Sequence, residues 1–457
     1  MTSNARLLFL APTILLATPA HAQDWPHWRG PYYNGSAKAS NLPVEFTRKK
    51  HVAWETTLPG PGASTPIVVG DRIFLTAADT GRDRLVAMCL NRKDGKVLWM
   101  KDAGSGYGGE SGSRTGGRRA SYASPSATTD GETVVFFFGN GDLVGYDLDG
   151  KRLWRRNVQQ DYGKFAFNWT FAASPTIWEG KVFLPVLQRD QPIGRSRGRR
   201  DGDEGRPAAP AKIESFILAA DPKTGKTLYK HVRPSPARME SLESYTTAIP
   251  WDAQGRKELL LVGGDVLTGH DPENGKELWR WGTWNEGHRQ RAWRLVPTVV
   301  VGDKVALVCA PKGAPVYAVH LGANGKVDQE AGLAWQSERR SPLSSDVPTP
   351  AFDGHHFYVV NDNRGSISKV NPKTGAVLWT TSLSRDFRWR ASPTVADGKV
   401  FLMNHNGEVV IIDAAGGKAL HHAFMGDEDD DQVRSSVVVA HQNLFIRTNA
   451  SLFCISQ

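Results

Sequence analysis

A single sequence unit recurs along almost the whole chain, and this repetition limits the fold more than any other feature does. The clearest copy begins at 391–395 with Ala-Ser-Pro-Thr-Val, continues through an apolar run and a turn at Asn406-Gly407, and ends after a second turn at 416–418. Most other copies end in an aromatic residue after that last turn, namely Trp99, Trp154, Tyr229, Trp279, Trp335 and Trp379. Repetition of this kind indicates structural units that must stack to bury their apolar faces.

Each copy has the pattern of four short β-strands joined by glycine-containing turns. The turn at 221–226 reads Asp-Pro-Lys-Thr-Gly-Lys, in which proline presets φ and glycine tolerates a positive φ. A lone four-stranded sheet exposes two apolar faces, whereas radial stacking covers both faces and leaves only protected edges. The sequence therefore predicts an all-β fold, an eight-bladed β-propeller of four-stranded antiparallel blades.

The eighth copy is incomplete. It starts at Arg434, and the chain stops after its third predicted strand. Near the other end of the chain, Val52–Glu55 has the pattern of the last strand of a unit. We therefore predict that this N-terminal strand completes the last blade and closes the ring.

The N-terminus predicts export. A signal peptide is expected at 1–22, because an apolar run at 7–16 is followed by the small-residue pattern Ala20-His21-Ala22. An N-terminal membrane anchor is the alternative, although the run is short for a span. We assign 23–50 to an N-terminal extension and 51–457 to the propeller, and expect a periplasmic or secreted protein with no transmembrane segment once the signal is removed.

The net charge indicates which class of partner to expect, and the positions of the cysteines indicate whether they form disulfides. The formal net charge is +9, which favours anionic partners, and export argues against nucleic acid among them. The three cysteines, Cys89, Cys309 and Cys454, each lie in an apolar run, so buried free thiols are expected. Two segments rich in arginine and glycine, 104–120 and 189–206, are expected to be loops; an anion-binding arm is the alternative for the second.

The units resemble the tryptophan-docking repeats of quinoprotein alcohol dehydrogenases, and are similar also to those of the outer-membrane assembly propeller lipoprotein. The resemblance covers about 51–457 and rests on three motifs: Gly-Lys-x-Leu-Trp at 95–99, Ser-Pro-x-Val at 392–395 and the Asp-Pro-x-Thr-Gly turns. The segment Trp25–Pro31 also resembles the start of exported planctomycete repeat proteins. The resemblance implies pyrroloquinoline quinone with Ca²⁺ for a dehydrogenase; the adjacent cysteines of that family and the lipobox cysteine of the lipoprotein are missing.

Three arginines are the leading candidates for a binding site. Arg294, Arg390 and Arg434 each stand three residues before the proline position of their unit, and equivalent positions in radial repeats converge on the axis. Trp293 and Trp389 precede two of them, and Trp169 lies in another aromatic loop. Guanidinium groups and indole faces suit anionic or sugar ligands, with structural salt bridges as the alternative.

Metal binding is a weaker prediction. The acidic run at 427–431 contains Asp427, Asp429 and Asp431, whose carboxylates suit Ca²⁺. A solvated loop, or a run that neutralises nearby arginines, is the favoured alternative. The pairs His355-His356 and His421-His422 are next to strands, where adjacent side chains point to opposite faces.

No catalytic motif for hydrolysis, phosphate binding or dinucleotide binding occurs in the sequence. The leading hypothesis is therefore an exported, non-catalytic binding or scaffold propeller without a cofactor, which engages a protein, glycan or anionic ligand through its arginine- and tryptophan-rich face. One alternative is a quinone-dependent alcohol or sugar dehydrogenase. The other is a component of outer-membrane protein assembly.

Overall fold

The computed structural model describes residues 23–106, 121–192, 213–253, 255–282, 293–428, 430 and 432–457. These residues form eight antiparallel blades arranged in a ring, which confirms the predicted eight-bladed propeller. The predicted signal peptide at 1–22 and most of the two arginine- and glycine-rich loops lie outside the described residues. Among the described residues, no helix combines the length and apolarity needed to cross a membrane.

Each blade takes its four antiparallel strands in the order in which they occur along the chain, except the last blade. Blade 1 consists of strands Ile67–Val69, Arg72–Asp79, Arg84–Asn91 and Val97–Gly104, and blade 2 of Thr128–Thr129, Thr133–Phe137, Asp142–Asp147 and Arg152–Asn157. Blade 3 consists of strands Thr176–Trp178, Lys181–Val186, Phe216–Ala220 and Thr227–Val232, and blade 4 of Ile249–Ala253, Arg256–Gly263, Val266–His270 and Glu277–Trp281. Blade 5 consists of strands Val300–Gly302, Val305–Cys309, Val316–His320 and Leu333–Gln336, and blade 6 of Ala351–Phe352, Phe357–Asn361, Ser366–Val370 and Val377–Ser382. Blade 7 consists of strands Thr394–Ala396, Lys399–Met403, Glu408–Asp413 and Ala419–Phe424, and blade 8 of Val438–Ala440, Asn443–Arg447, Ser451–Ile455 and Val52–Thr57.

A few elements interrupt this regularity. Gly325–Lys326 adds a short parallel strand to the outer edge of blade 4. An α-helix at Val158–Tyr162 and a 3-10 helix at Met239–Leu242 occur in the loops that leave blades 2 and 3. Asn157 caps the α-helix, because its side chain accepts hydrogen bonds from the backbone of Gln159 and Gln160.

The N-terminal strand closes the ring as predicted. Val52–Thr57 pairs antiparallel with Ser451–Ile455, with Trp54 opposite Cys454 and Thr57 opposite Ser451. The last blade therefore takes strands from both ends of the chain, so the ring cannot open without breaking this pairing. The three cysteines are free and buried, as predicted.

The repeated tryptophans pack between neighbouring blades. On the outer strand Val97–Gly104, Trp99 is buried while Val97 and Leu98 are exposed, and its indole Nε1 donates to the Leu148 carbonyl oxygen of blade 2 at 3.1 Å. Gly150 adopts φ +85° beneath this ring, where a Cβ atom would stand 2.7 Å from Trp99 Cγ. Trp54, Trp154, Trp335 and Trp379 make the same bond to a turn carbonyl of the next blade.

Blade 4 departs from this pattern. Trp279 Nε1 donates to Glu258 Oε2 of its own blade at 2.6 Å. Trp281, two residues further on, reaches the next blade and donates to the Gln329 carbonyl oxygen at 3.0 Å. The sequence repeat identifies the outer strand of blade 4 correctly, but the hydrogen bond to the next blade is made by Trp281 and not by the repeat tryptophan Trp279.

A ring of hydroxyl side chains joins the blades near the axis, where the first strands of neighbouring blades meet. In each blade a serine or threonine stands two residues before the first strand, and in seven blades it accepts a hydrogen bond from the backbone N–H of its counterpart in the preceding blade. Seven of these bonds, 2.8–3.2 Å long, link Thr65, Ser126, Ser174, Thr247, Thr298, Thr349 and Ser392 in order, and return from Ser436 to Thr65. We call this set the hydroxyl ring.

The N-terminal extension crosses the channel that the first strands enclose. Trp25 forms an antiparallel bridge with Val68 of blade 1, and Ser36 forms a parallel bridge with Val395 of blade 7. Between them, the fully buried Arg29 donates from Nη2 to the carbonyl oxygens of Pro350 and Pro393. The extension is therefore part of the packed propeller rather than a separate tail.

Candidate functional site

A cavity of about 270 Å³ lies on the axis beside the hydroxyl ring. One residue per blade, two positions before the hydroxyl ring, lines this cavity: Ala63, Ser124, Ala172, Tyr245, Val296, Val347, Arg390 and Arg434. Because every blade presents this position at the same height around the axis, the side chains converge as equivalent positions in a closed repeat must. We call this set the lining ring and the space it encloses the axial cavity.

The structure corrects the register assigned to Arg294. Counting from proline made it equivalent to Arg390 and Arg434, but Pro297 stands one residue before the hydroxyl-ring position of its blade, whereas Pro393 stands one residue after it. The true counterpart in blade 5 is Val296. Arg294 still lines the axial cavity, from two residues further up the same loop.

Arg390 and Arg434 occupy the lining ring in adjacent blades. The Nε atom of Arg390 is buried and has no hydrogen-bond partner among the described residues; the nearest carboxylate oxygen, Asp362 Oδ2, is 3.7 Å away. Burial lowers the pKa of Arg390, with the charge of Asp362 acting in the opposite direction. Arg434 Nη2 donates to Gln432 Oε1 at 3.1 Å. This side of the cavity carries concentrated positive charge.

Arg294 is held by a different contact. Its two terminal nitrogens donate to the two carboxylate oxygens of Asp346 at 3.2 and 3.0 Å, a bidentate pair. Burial opposes ionisation of Asp346, but the hydrogen bonds and charge of Arg294 outweigh burial and lower the pKa of Asp346. The structural salt bridge that we weighed as the alternative role is therefore present at Arg294.

The opposite side of the axial cavity is aromatic. Trp28 of the N-terminal extension, Trp169 and Tyr245 line it. The indole Nε1 of Trp169 is buried and has no hydrogen-bond partner among the described residues. Tyr245 donates from its hydroxyl to Glu243 Oε2 at 2.8 Å, and burial raises the pKa of Glu243. Trp28 and Tyr245 were not among the predicted site residues.

Trp293 and Trp389 do not line the axial cavity. Trp389 is 1% exposed, donates from Nε1 to the Ser384 carbonyl oxygen at 2.8 Å, and packs in the core of blades 6 and 7. Trp293 is partly buried against the core of blades 4 and 5. Side chains of consecutive residues diverge, so an arginine that faces the axis directs the preceding tryptophan elsewhere.

The structure describes part of the acidic run at 427–431. Asp427 Oδ2 lies 3.6 Å from Arg48 Nη1, and the buried Asp430 accepts backbone hydrogen bonds from Asn449 and Asp427 at 2.6 and 3.1 Å. Asp429 and Asp431 lie outside the described residues. Within the part of the chain that the structure describes, no three His, Cys, Asp or Glu side chains are grouped as a metal site would require.

Known proteins share this architecture. The family model described as outer membrane protein assembly factor BamB matches residues 46–188 and 214–457. The chain belongs to this family. Two curated polyvinylalcohol dehydrogenases are similar: that of Sphingopyxis sp. (strain 113P3) is 25% identical over 386 residues, or 79% of this chain, and that of Pseudomonas sp. is 26% identical over 385 residues, or 82%. These matches cover 51% and 53% of the two relatives, so the chain spans about half their length.

Solved structures show the same fold at low identity. BamB from Moraxella catarrhalis matches with a TM-score of 0.58 and 15% identity, covering 88% of this chain and 97% of that one. Quinohemoprotein alcohol dehydrogenase from Comamonas testosteroni matches with a TM-score of 0.61 and 13% identity, covering 94% and 80%. Proteins with this fold therefore include one named for catalysis and one named for assembly, and the fold alone does not choose between these roles.

Proposed function

We propose that this protein is an exported binding propeller whose axial cavity holds a small anionic ligand. The observation that carries the proposal is the placement of two guanidinium groups, Arg390 and Arg434, at the same lining-ring position in adjacent blades. Guanidinium groups present planar pairs of donors that match carboxylate, phosphate and sulfate oxygens. A cavity of this size suits a molecule of about one ring with one or two anionic groups.

Two unpartnered donors support the same proposal. Arg390 Nε and Trp169 Nε1 are both buried, both lack an acceptor among the described residues, and both belong to side chains that line the axial cavity. A buried donor without an acceptor costs about 1–3 kcal/mol, so two in one cavity favour an acceptor-bearing ligand. The aromatic side, formed by Trp28, Trp169 and Tyr245, suits the body of an aromatic acid or a sugar acid.

Calorimetric titration of the purified mature chain tests this proposal. The panel is sulfate, phosphate, benzoate, benzenesulfonate and glucuronate, with neutral glucose and benzyl alcohol as matched uncharged probes. We expect at least one anion to bind with a dissociation constant below about 1 mM and the neutral probes not to bind. Saturable binding that survives in the double variant R390M/R434M, or no binding of any anion, would overturn the proposal.

A quinone-dependent dehydrogenase is the second candidate, favoured by the similarity to polyvinylalcohol dehydrogenases. The cationic and aromatic lining fits a planar anion such as pyrroloquinoline quinone. The Ca²⁺ of such an enzyme does not fit equally well, because the described residues hold no group of three potential metal ligands. The sequence also lacks the adjacent cysteines that cover the quinone in the family that the repeats resemble. We therefore derive no oxidation step from this site.

Incubation with pyrroloquinoline quinone and Ca²⁺ separates the two candidates. If the protein is a binding propeller without redox activity, no alcohol-dependent dye reduction is expected, whether or not the quinone binds in the axial cavity. Dye reduction that requires both the quinone and Ca²⁺ would replace the first proposal with the second. Polyvinyl alcohol is included among the alcohols because it is named for the curated relatives.

Membership of the BamB family favours a role with a protein partner as well. The assembly hypothesis predicts that the tagged, exported protein copurifies with an integral outer-membrane protein from its own cell envelope. The matched control is the variant R390M/R434M. If copurification is unchanged in that variant, partner binding uses a surface other than the axial cavity.

A further inference from the structure

Two aspartates connect two of the arginines that line the axial cavity. Arg294 binds Asp346, the backbone N–H of Asp346 donates to Asp362 Oδ1 at 3.0 Å, and Asp362 Oδ2 stands 3.7 Å from Arg390 Nε. Arg390 in turn lines the cavity. The Asp362 side chain is fully buried, and its Oδ2 has no hydrogen-bond partner among the described residues.

The two carboxylates are therefore unequal. Asp346 has a bidentate guanidinium partner, whereas Asp362 has one backbone donor and a guanidinium beyond hydrogen-bond distance. An ion pair without direct hydrogen bonds compensates poorly for the loss of hydration of both groups. Arg390 thus stands between a weakly held carboxylate on one side and the axial cavity on the other.

We propose that Asp362 is a positioning residue that acts through Arg390, so that the anion in the axial cavity and a proton on Asp362 bind together. The inference rests on the proposed anion-binding function and adds its coupling to protons. Both negative groups use the same guanidinium charge. When Asp362 is protonated, the charge of Arg390 is left to the ligand; when Asp362 is ionised, it competes with the ligand. By thermodynamic reciprocity, a bound anion favours protonation of Asp362 to the same degree.

The surrounding charges set the direction of the pH dependence. Burial raises the pKa of Asp362, the charge of Asp346 adds to this, and the charge of Arg390 opposes it. Asp362 is thus protonated at a higher pH than an exposed aspartate, and anion affinity is greatest below its pKa and falls as pH rises through it. Arg294 and Arg388 are cationic neighbours of Arg390. Burial opposes the charge of Arg294, but the hydrogen bonds and charge of Asp346 outweigh burial and raise the pKa of Arg294, so Arg294 stays charged throughout.

Two other titratable groups close to Asp362 and Arg390, Cys309 and His405, do not explain a pH dependence of anion binding. Burial raises the pKa of the Cys309 thiol, which lies in the field of Asp362, so the thiol stays neutral. Burial and the charges of Arg434, Arg390 and Arg388 lower the pKa of His405 to about 3, so its ring stays neutral at any higher pH. Neither group accounts for a proton taken up on anion binding. Burial also raises the pKa of Glu243, but Glu243 contacts Arg189 and Tyr245 rather than Arg390, so Asp362 is the carboxyl group that acts through Arg390.

The experiment measures benzenesulfonate binding by calorimetry between pH 4 and 8, in pairs of buffers with different ionisation enthalpies. Benzenesulfonate keeps its charge over this range, so any proton uptake belongs to the protein. For the native chain we expect affinity to fall roughly fivefold to tenfold across one pH step, with up to one proton taken up per ligand near that step. The neutral variant D362N is expected to bind without the step, at the affinity of the low-pH form.

The variant D346N is the matched control, because it neutralises the neighbouring carboxylate and leaves Asp362 in place. The step is expected to remain and to move to lower pH, since the charge of Asp346 raises the pKa of Asp362. A step that persists unchanged in D362N, or binding without proton uptake in the native chain, would overturn this inference and leave the proposed function intact. Failure of the native chain to bind the panel of anions at every pH overturns both.

Discussion

The hydroxyl ring and the lining ring are only two positions apart in each blade, yet they differ in composition. All eight members of the hydroxyl ring are serine or threonine, whereas the lining ring contains alanine, serine, tyrosine, valine and arginine. Seven of the eight junctions between blades use a hydroxyl-ring side chain as the acceptor, so those positions require a serine or threonine. Side chains of the lining ring face the axial cavity and are free of this requirement, so the blades can differ there. Closure of the propeller therefore restricts the residue types of the hydroxyl ring, whereas the residue types of the lining ring can differ between blades and can suit a ligand.

The largest expected effect concerns the charged part of the lining ring. The variant R434M is expected to weaken benzenesulfonate binding by about tenfold to a hundredfold, because a charge-assisted hydrogen bond contributes roughly 1.5–3 kcal/mol. The control is R388M, which removes an exposed arginine two residues from Arg390 that does not line the axial cavity. Calorimetry at constant ionic strength measures both. Equal losses in the two variants would attribute binding to general surface charge.

The hydroxyl ring is tested by stability rather than by binding. Thr298 is buried, accepts from the Thr247 N–H at 3.1 Å, and is nearly isosteric with valine. T298V is expected to lower the free energy of unfolding by about 1–3 kcal/mol, because the Thr247 N–H is left without its acceptor. The matched variant V296T, in the lining ring of the same blade, is expected to change it by less than about 0.5 kcal/mol. Urea unfolding distinguishes them; similar values would remove the difference between the rings.

A gain of function tests the equivalence of lining-ring positions. Val347 occupies the lining ring in blade 6, next to Arg390 of blade 7. The substitution V347R adds a third guanidinium group at the same height and is expected to raise the affinity for sulfate about threefold to tenfold. V347M adds similar bulk without charge and is expected not to raise it. Absence of any gain in V347R would show that equivalent positions do not present equivalent donors.

The smallest expected effect concerns the aromatic side of the axial cavity. W169F keeps a ring and removes the indole N–H, and we expect a loss of about twofold to threefold in affinity for benzenesulfonate. W293F, at a tryptophan packed against the core of blades 4 and 5, is expected to leave affinity unchanged. Titration of the two variants side by side tests this. A larger loss in W293F would mean that loop packing, and not direct contact, governs the cavity.

Local sequence predicted those parts of the site that lie within one repeat. Arg390 and Arg434, which line the axial cavity, were predicted because each stands three residues before the proline position of its unit, and a closed ring brings equivalent positions together. Arg294 also lines the axial cavity, but counting from proline gave it the wrong register, since proline occurs on either side of the hydroxyl-ring position. Tyr245 was missed for the same reason, because counting from the first strand would have identified it. Trp28 carries no such signal, since it belongs to no repeat.

The sequence by itself determined the architecture, because seven or eight copies of one unit leave a closed ring of four-stranded sheets as the simplest way to bury every apolar face. It also determined the closure, since an incomplete last unit and an unpaired first strand complement each other. Apart from the arginines, only the tertiary structure decided which residues line the axial cavity. The route of the N-terminal extension through the channel, the burial of Trp389 and the unequal pairing of Asp346 and Asp362 all depend on contacts between residues far apart in the chain. Repetition encodes what every blade must share, whereas the axial cavity is formed by what the blades do not share.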